Sequence, residues 1–187
     1  MKKSSMIIIG IIVVIIAIIF WGVSTYNGLI SLSENVDSEY SNISVALERR
    51  ADLIPNLVNT VKGYASHEEE VIEKITQSRE NLLKADNIDE KASANNELDD
   101  AINALMVIVE NYPDLKANTN FINLQDELAG TENRIATVRR DYNNAVKEYN
   151  TKIKKTPTNI IASIGNFLEK DYFEISESKK EVPNVEF

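Results

Sequence analysis

Hydrophobic positions fall along this chain in two distinct patterns. From Met6 to Val23 they are continuous, in "MIIIGIIVVIIAIIFWGV", with no charged residue. As an α-helix that run spans about 27 Å, close to the roughly 30 Å hydrocarbon thickness of a bilayer. A cleaved signal peptide calls for a shorter apolar region and a clear small-x-small site, of which Gly22-Val23-Ser24 is a poor version. Trp21 and Tyr26 suit an aromatic belt at the outer interface. The expectation is an uncleaved transmembrane helix over residues 6–23, preceded by a short flank over 1–5.

Beyond Val23 the apolar positions change to helical stripes. Leu29, Val36, Ile43, Leu57 and Tyr64 lie on one seven-residue line, and Tyr40, Leu47, Ile54 and Val61 on a second. The two lines form one broad face of a first helix from about Thr25 to Lys62, with Gly63 placed for a left-handed cap. Ser66 and Glu69 have capping-box spacing, which predicts a second helix from about His67 to Ala85 burying Val71, Ile75, Ser78 and Leu82. "ADNIDE" interrupts it. A third helix follows to about Asn111, with Leu98, Ile102, Leu105 and Val109 on one face, and Pro113 stops it. In the fourth, Leu124, Leu128, Thr131, Ile135, Val138, Tyr142, Ala145 and Tyr149 alternate steps of four and three, and Phe121 extends the stripe.

Such stripes demand facing partners. The expected fold is therefore all-α: an N-terminal transmembrane helix, then an antiparallel four-helix bundle over 24–155, then a short C-terminal amphipathic helix. A parallel self-dimer through the fourth helix would leave the other three stripes exposed. An odd number of reversals returns Tyr149 to the level of Tyr26. The segment 156–175 carries Ile160, Ile161, Ile164, Phe167 and Leu168. With no basic residue between Lys155 and Lys170, it is expected to pack at the bundle base in preference to the headgroup region. Residues 176–187 are polar and expected to form a flexible tail.

Charge narrows the partners. Apart from Lys2 and Lys3, 18 basic side chains stand against 29 acidic ones, a surface that repels phosphate backbones and argues against nucleic acid. The two lysines before the apolar run, with Glu34 the first charge after it, place the short N-terminus in the cytoplasm and the bundle outside. There is no cysteine, which removes disulfides, thiolate metal sites and cysteine nucleophiles.

Candidate chemistry is thin. A di-metal bundle needs paired Glu-x-x-His motifs, whereas this chain has one histidine, His67, followed by "EEE". A haem would need His67 and Met106 to converge. No nucleophilic triad, glycine-rich phosphate loop or serine elbow is present. Catalytic, cofactor and metal residues are accordingly expected to be none, and the chain is not expected to be an enzyme. The Tyr-Asn pairs at 26–27, 142–143 and 149–150 read as packing residues, since Tyr142 and Tyr149 lie on the apolar seam. The sequon Asn42-Ile43-Ser44 puts Ile43 on the core face.

The stretch "RRADLIPNLV" interrupts the first stripe. Arg50 falls on the line of Ile43 and Leu57, pointing at the bundle interior or its edge, where a guanidinium needs acceptors. Pro55 has no amide hydrogen and clashes with the carbonyl of Ala51, so a kink is expected and that carbonyl is freed. The carbonyl, Asp52 or a glutamate of another helix are the acceptors expected for Arg50. An arginine network that fixes helix register is the favoured reading, and an anion pocket at the kink the alternative.

The same stretch, continued as "RRADLIPNLVNTVKGYASHE", resembles the LemA family of bacterial membrane proteins. "YNGLI" after the apolar run, Arg79, "YP" at Tyr112-Pro113, "RRDYNNAVKEYN" at 139–150 and "DYF" at 171–173 follow in the family's order. Signature positions here are Arg49, Arg50, Asp52, Pro55, Asn56, Arg79, Tyr112, Pro113, Arg139, Tyr142, Asn143, Tyr149 and Asn150. The resemblance implies a single-pass membrane protein with an antiparallel helical domain, and it carries no enzymatic activity or agreed ligand residues to transfer. Two functions are expected: a scaffold at the cell envelope that binds another envelope protein, or a ligand-sensing bundle that signals through a partner's membrane helix. The bilayer, an envelope protein and further copies of the chain are the expected partners.

Overall fold

In the computed structural model, residues 3–174 are described, with side chains from Met6 onward. Met1 and Lys2 of the expected flank, and the tail expected over 176–187, lie outside the described residues. Every regular element among them is helical: α1 (Lys3–Lys62), α2 (Glu69–Lys84), α3 (Ile88–Val109), α4 (Pro113–Lys116), α5 (Thr119–Lys154) and α6 (Thr158–Ile164).

The apolar run and the first stripe are one helix, because no glycine-proline signal separates them. Within α1 the apolar stretch that begins at Met6 is long and apolar enough to cross a membrane, and its side chains stand exposed as far as Trp21. The chain divides into two compact units. One comprises Met1–Ser38 and Asn144–Lys170, the other Glu39–Asn143 and Asp171–Phe187.

In the first unit, Leu29 and Val36 of α1 and Val146, Tyr149 and Ile153 of α5 are buried, with Ala162 of α6. The apolar residues of 158–168 divide. Ile161 and Phe167 are half-buried against α1, whereas Ile160, Ile164 and Leu168 face outward, contrary to their expected packing against protein. After α6, Asn166 adopts φ 55°, and the amides of Asn166 and Phe167 donate to Ser163 and Ala162. This is a Schellman ending, with asparagine in the left-handed position it tolerates. Phe167 folds back over Gly165, where any Cβ would lie 2.6 Å from its ring and 2.9 Å from Tyr26.

In the second unit both stripes of α1 are buried from Ile43 to Val61, with Ile75, Leu82, Leu98, Leu105, Phe121, Ile135 and Val138 of the following helices. Four expectations are corrected there. Gly63 has no positive φ; Tyr64 and Ala65 both donate to the carbonyl of Val61, and α1 ends in a tight right-handed turn. Tyr64 leaves the core face, and its hydroxyl accepts from Asn118 Nδ2 at 2.8 Å. α2 starts at Glu69 without a side-chain cap and buries Ile72, with Val71 only half-buried. Ala65 is buried in the preceding turn and accepts from the amide of Glu68, so the helix cannot open at Ser66. Pro113 does not terminate α3, which has already ended at Val109. It opens α4, where a missing amide is harmless.

The capping box occurs one helix later. Asn87 Oδ1 accepts from the amide of Glu90 at 2.9 Å, and Glu90 Oε2 accepts from the amide of Asp86 at 2.9 Å. Asn87→Ala is expected to lower stability by about 1 kcal/mol, read as a lower urea midpoint for the full chain in detergent micelles. The Asp86 amide holds the Glu90 carboxyl below its ordinary range. A depressed folded value means that this contribution is complete above the unfolded pKa and is lost as pH falls through the folded one. The stability difference between wild type and Glu90→Gln should therefore narrow in acid.

Candidate functional site: a buried arginine beside an arginine-lined groove

In α1 the line Leu29, Val36, Ile43, Leu57 has its gap filled by Arg50, which is 3% exposed. A guanidinium this deep is tolerable only when its donors are satisfied. Arg50 Nη1 donates to Asn95 Oδ1 at 3.0 Å, and Nη2 pairs with Asp99. Asn95 Nδ2 in turn donates to Asp99 Oδ2 at 3.3 Å, and Glu132 stands at 4.0 Å from Nη2. Nε is left without an acceptor. The hydrogen-bonded acceptors are thus on α3, and the close acid is Asp99 in place of the glutamate expected from another helix. Asp52 is exposed and takes no part.

The carbonyl expected for Arg50 belongs to a different arginine. Pro55 sits inside α1, leaving the Ala51 carbonyl without its helical donor. Arg79 of α2 fills that vacancy, its Nε donating to the Ala51 oxygen at 2.8 Å. Arg50, Pro55 and Arg79 form a single arrangement: one arginine ties α1 to α3, another ties α1 to α2. Asn56 is exposed, and its carbonyl accepts from Thr60 Oγ1 at 2.8 Å.

Arg49 points the other way. With Asn42, Val45 and Ala46 of α1 and Glu127, Gly130, Thr131 and Arg134 of α5 it lines an open groove of about 440 Å³. Val45 is 67% exposed, and Ala46 and Gly130 provide a floor with little side chain. The Arg49 and Arg134 guanidinium groups make no hydrogen bond or ion pair among the described residues. The groove offers two cations above a short apolar strip. That combination can receive a carboxylate-bearing segment or small anion, with Glu127 adding one carboxylate to the lining.

The other signature residues lie away from the groove. Tyr112 donates its hydroxyl to Glu68 Oε1 at 2.7 Å, a bond that raises the phenol pKa above its ordinary value. Pro113 starts α4, and Arg139 is half-buried on α5. Two of the three Tyr-Asn pairs do more than pack. In the second unit, Tyr142 donates to the Asp171 carbonyl at 2.8 Å, and the Asn143 amide takes both the N–H and the C=O of Phe173, at 2.9 and 3.1 Å. In the first unit, Tyr149 donates to the Leu168 carbonyl at 2.9 Å, and Asn150 holds the N–H and C=O of Lys170 at 3.0 and 2.8 Å. Burial, then the charge of Asp37, raises the Tyr149 phenol.

Sequence reasoning missed Asn95, Asp99 and the groove residues of α5. One signal was available for the first. Ile88, Asn95, Ile102 and Val109 are spaced by seven and all are buried, so Asn95 interrupts its apolar line as Arg50 interrupts the line in α1.

The sequence profile of the LemA family matches residues 39–187. Magnetosome proteins MamQ 2 and MamQ 1 of Paramagnetospirillum magneticum are each 30% identical to this chain, covering 80% of it and 64% of their own length. Protein LemA of Metamycoplasma hominis is 28% identical, covering 82% of this chain and 71% of its own. The chain thus spans less than two thirds of the MamQ proteins.

Proposed function

The chain belongs to the LemA family, and from that premise we propose that it is a membrane-anchored interaction module of the bacterial cell envelope. The apolar start of α1 holds it in the bilayer, and α1, α2, α3 and α5 form an antiparallel four-helix bundle. Lys2 and Lys3 ahead of the span support a cytoplasmic N-terminus and an extracytoplasmic bundle. The groove between α1 and α5 receives a carboxylate-bearing segment of an envelope protein. The observation that carries this reading is the pairing of two uncommitted guanidinium groups, Arg49 and Arg134, with exposed Val45 over a small-residue floor. Planar guanidinium forks suit carboxylates, and an apolar strip between them adds contact area. Relatives named for the magnetosome and a relative named for the family alone support a reusable module over a dedicated chemistry.

A photocrosslinking residue at Val45, in the full chain in intact cells, should capture one discrete protein partner. The double variant Arg49→Glu, Arg134→Glu should abolish that adduct while leaving protein level unchanged. An adduct that survives charge reversal, or none at all, would refute the groove as the contact. A second reading rests on groove size, since about 440 Å³ lies within the range of small-molecule sites. If a small dicarboxylate raises the melting temperature of wild type and not of the double variant, the bundle is a sensor.

A further inference from the structure

The outward apolar face of 158–168 has no partner among the described residues. Ile160, Ile164 and Leu168 are 56%, 79% and 70% exposed. The other side of the same segment fixes where that face stands. Ile161 Cδ1 approaches to 3.6 Å of the position a Cβ on Gly22 would occupy, and the Phe167 ring meets Tyr26 edge-on at 5.3 Å. Gly22 belongs to the last turn of the apolar run, and Tyr26 lies one turn beyond it. α6 is therefore clamped to α1 at the level where the run ends and polar sequence begins.

From this placement we infer that α6 and the turn after it lie in the headgroup boundary of the bilayer that α1 crosses, with Ile160, Ile164 and Leu168 entering the acyl edge. The inference rests on the reading of the apolar start of α1 as a membrane span. A lipid surface is the occupant because the face is continuous with that span. Exposed Lys152 and Lys155, just ahead of α6, add cations that suit lipid phosphates, and Trp21 is exposed at the same level. α6 is a monotopic second contact that sets how deep and at what tilt α1 leaves the membrane.

The chain has no cysteine, so single cysteines can carry a nitroxide without background. The full-length variants Val13→Cys, Ile164→Cys, Leu168→Cys and Glu148→Cys would be placed in vesicles of phosphatidylcholine with some phosphatidylglycerol. Relaxation by oxygen would be compared with relaxation by a water-soluble nickel chelate. The expected result is an oxygen-to-chelate ratio highest at Val13, several-fold above Glu148 at Ile164 and Leu168, and lowest at Glu148. Lipid-like values at Val13 with chelate-accessible Ile164 and Leu168 would overturn the inference and leave the anchor intact. Poor access of both relaxants at Ile164 and Leu168 would mean that protein covers the face, which also overturns it. A chelate-accessible Val13 would remove the span and the inference together.

Discussion

Arg50→Ala is expected to destabilise the fold by about 3–5 kcal/mol, whereas Arg49→Ala should stay within about 0.5 kcal/mol. The neighbouring arginines differ in surroundings. Arg50 is buried and satisfied by Asn95 and Asp99 on α3, while Arg49 faces the open groove. Removing the Arg50 guanidinium leaves the Asp99 carboxylate, only 15% exposed, without its cation, and opens a hole between α1 and α3. The penalty comes mainly from that stranded charge. Arg50→Met combined with Asp99→Leu should therefore recover most of the loss, since apolar replacements of buried ion pairs are often neutral or better. Equilibrium urea unfolding of the full chain in micelles, followed by helical circular dichroism, measures all three. Equal midpoints for Arg49→Ala and Arg50→Ala would show that the network does not hold the helices.

Arg79→Ala should cost about 1–3 kcal/mol, and much less in a Pro55→Ala background. The Ala51 carbonyl is fully buried and accepts from Arg79 because residue 55 has no amide hydrogen to offer. Pro55→Ala supplies one, four residues on, and the carbonyl can then close the ordinary helical bond. The two substitutions should be coupled by about 1 kcal/mol, with the double variant more stable than the sum of the singles predicts. Strict additivity would mean that Arg79 acts through packing alone.

Periodicity made the faces of the helices legible. In α1 the line from Leu29 to Leu57 and the line from Leu47 to Val61 are buried in the structure, as are those through Leu98 and Leu105 in α3 and from Leu128 to Tyr149 in α5. Burial of Arg50 was legible for the same reason, since seven residues separate it from Ile43 and from Leu57. Its acceptors were not. A stripe fixes which side of a helix turns inward but not how far one helix slides along another, so it could not distinguish Asp99 from the nearby acids. Likewise Pro55 announced a freed carbonyl in the sequence, while the choice of Arg79 over Arg50 depended on where α2 passes α1. The groove was hidden because Val45, Gly130 and Arg134 lie off every apolar line, on faces read as solvated. The asparagine contacts were hidden too, since the segment they hold has no period.

Asn143 and Asn150 each grip a main-chain N–H and C=O together, so they recognise peptide groups and ignore identity. The main chain at Lys170 and at Phe173 is thereby held by groups indifferent to the side chain, while the Lys170–Asp37 ion pair and the buried Phe173 ring add anchors of their own. Evolution can repaint the exposed positions between them, Asp171 and Tyr172, while those two peptide groups stay put.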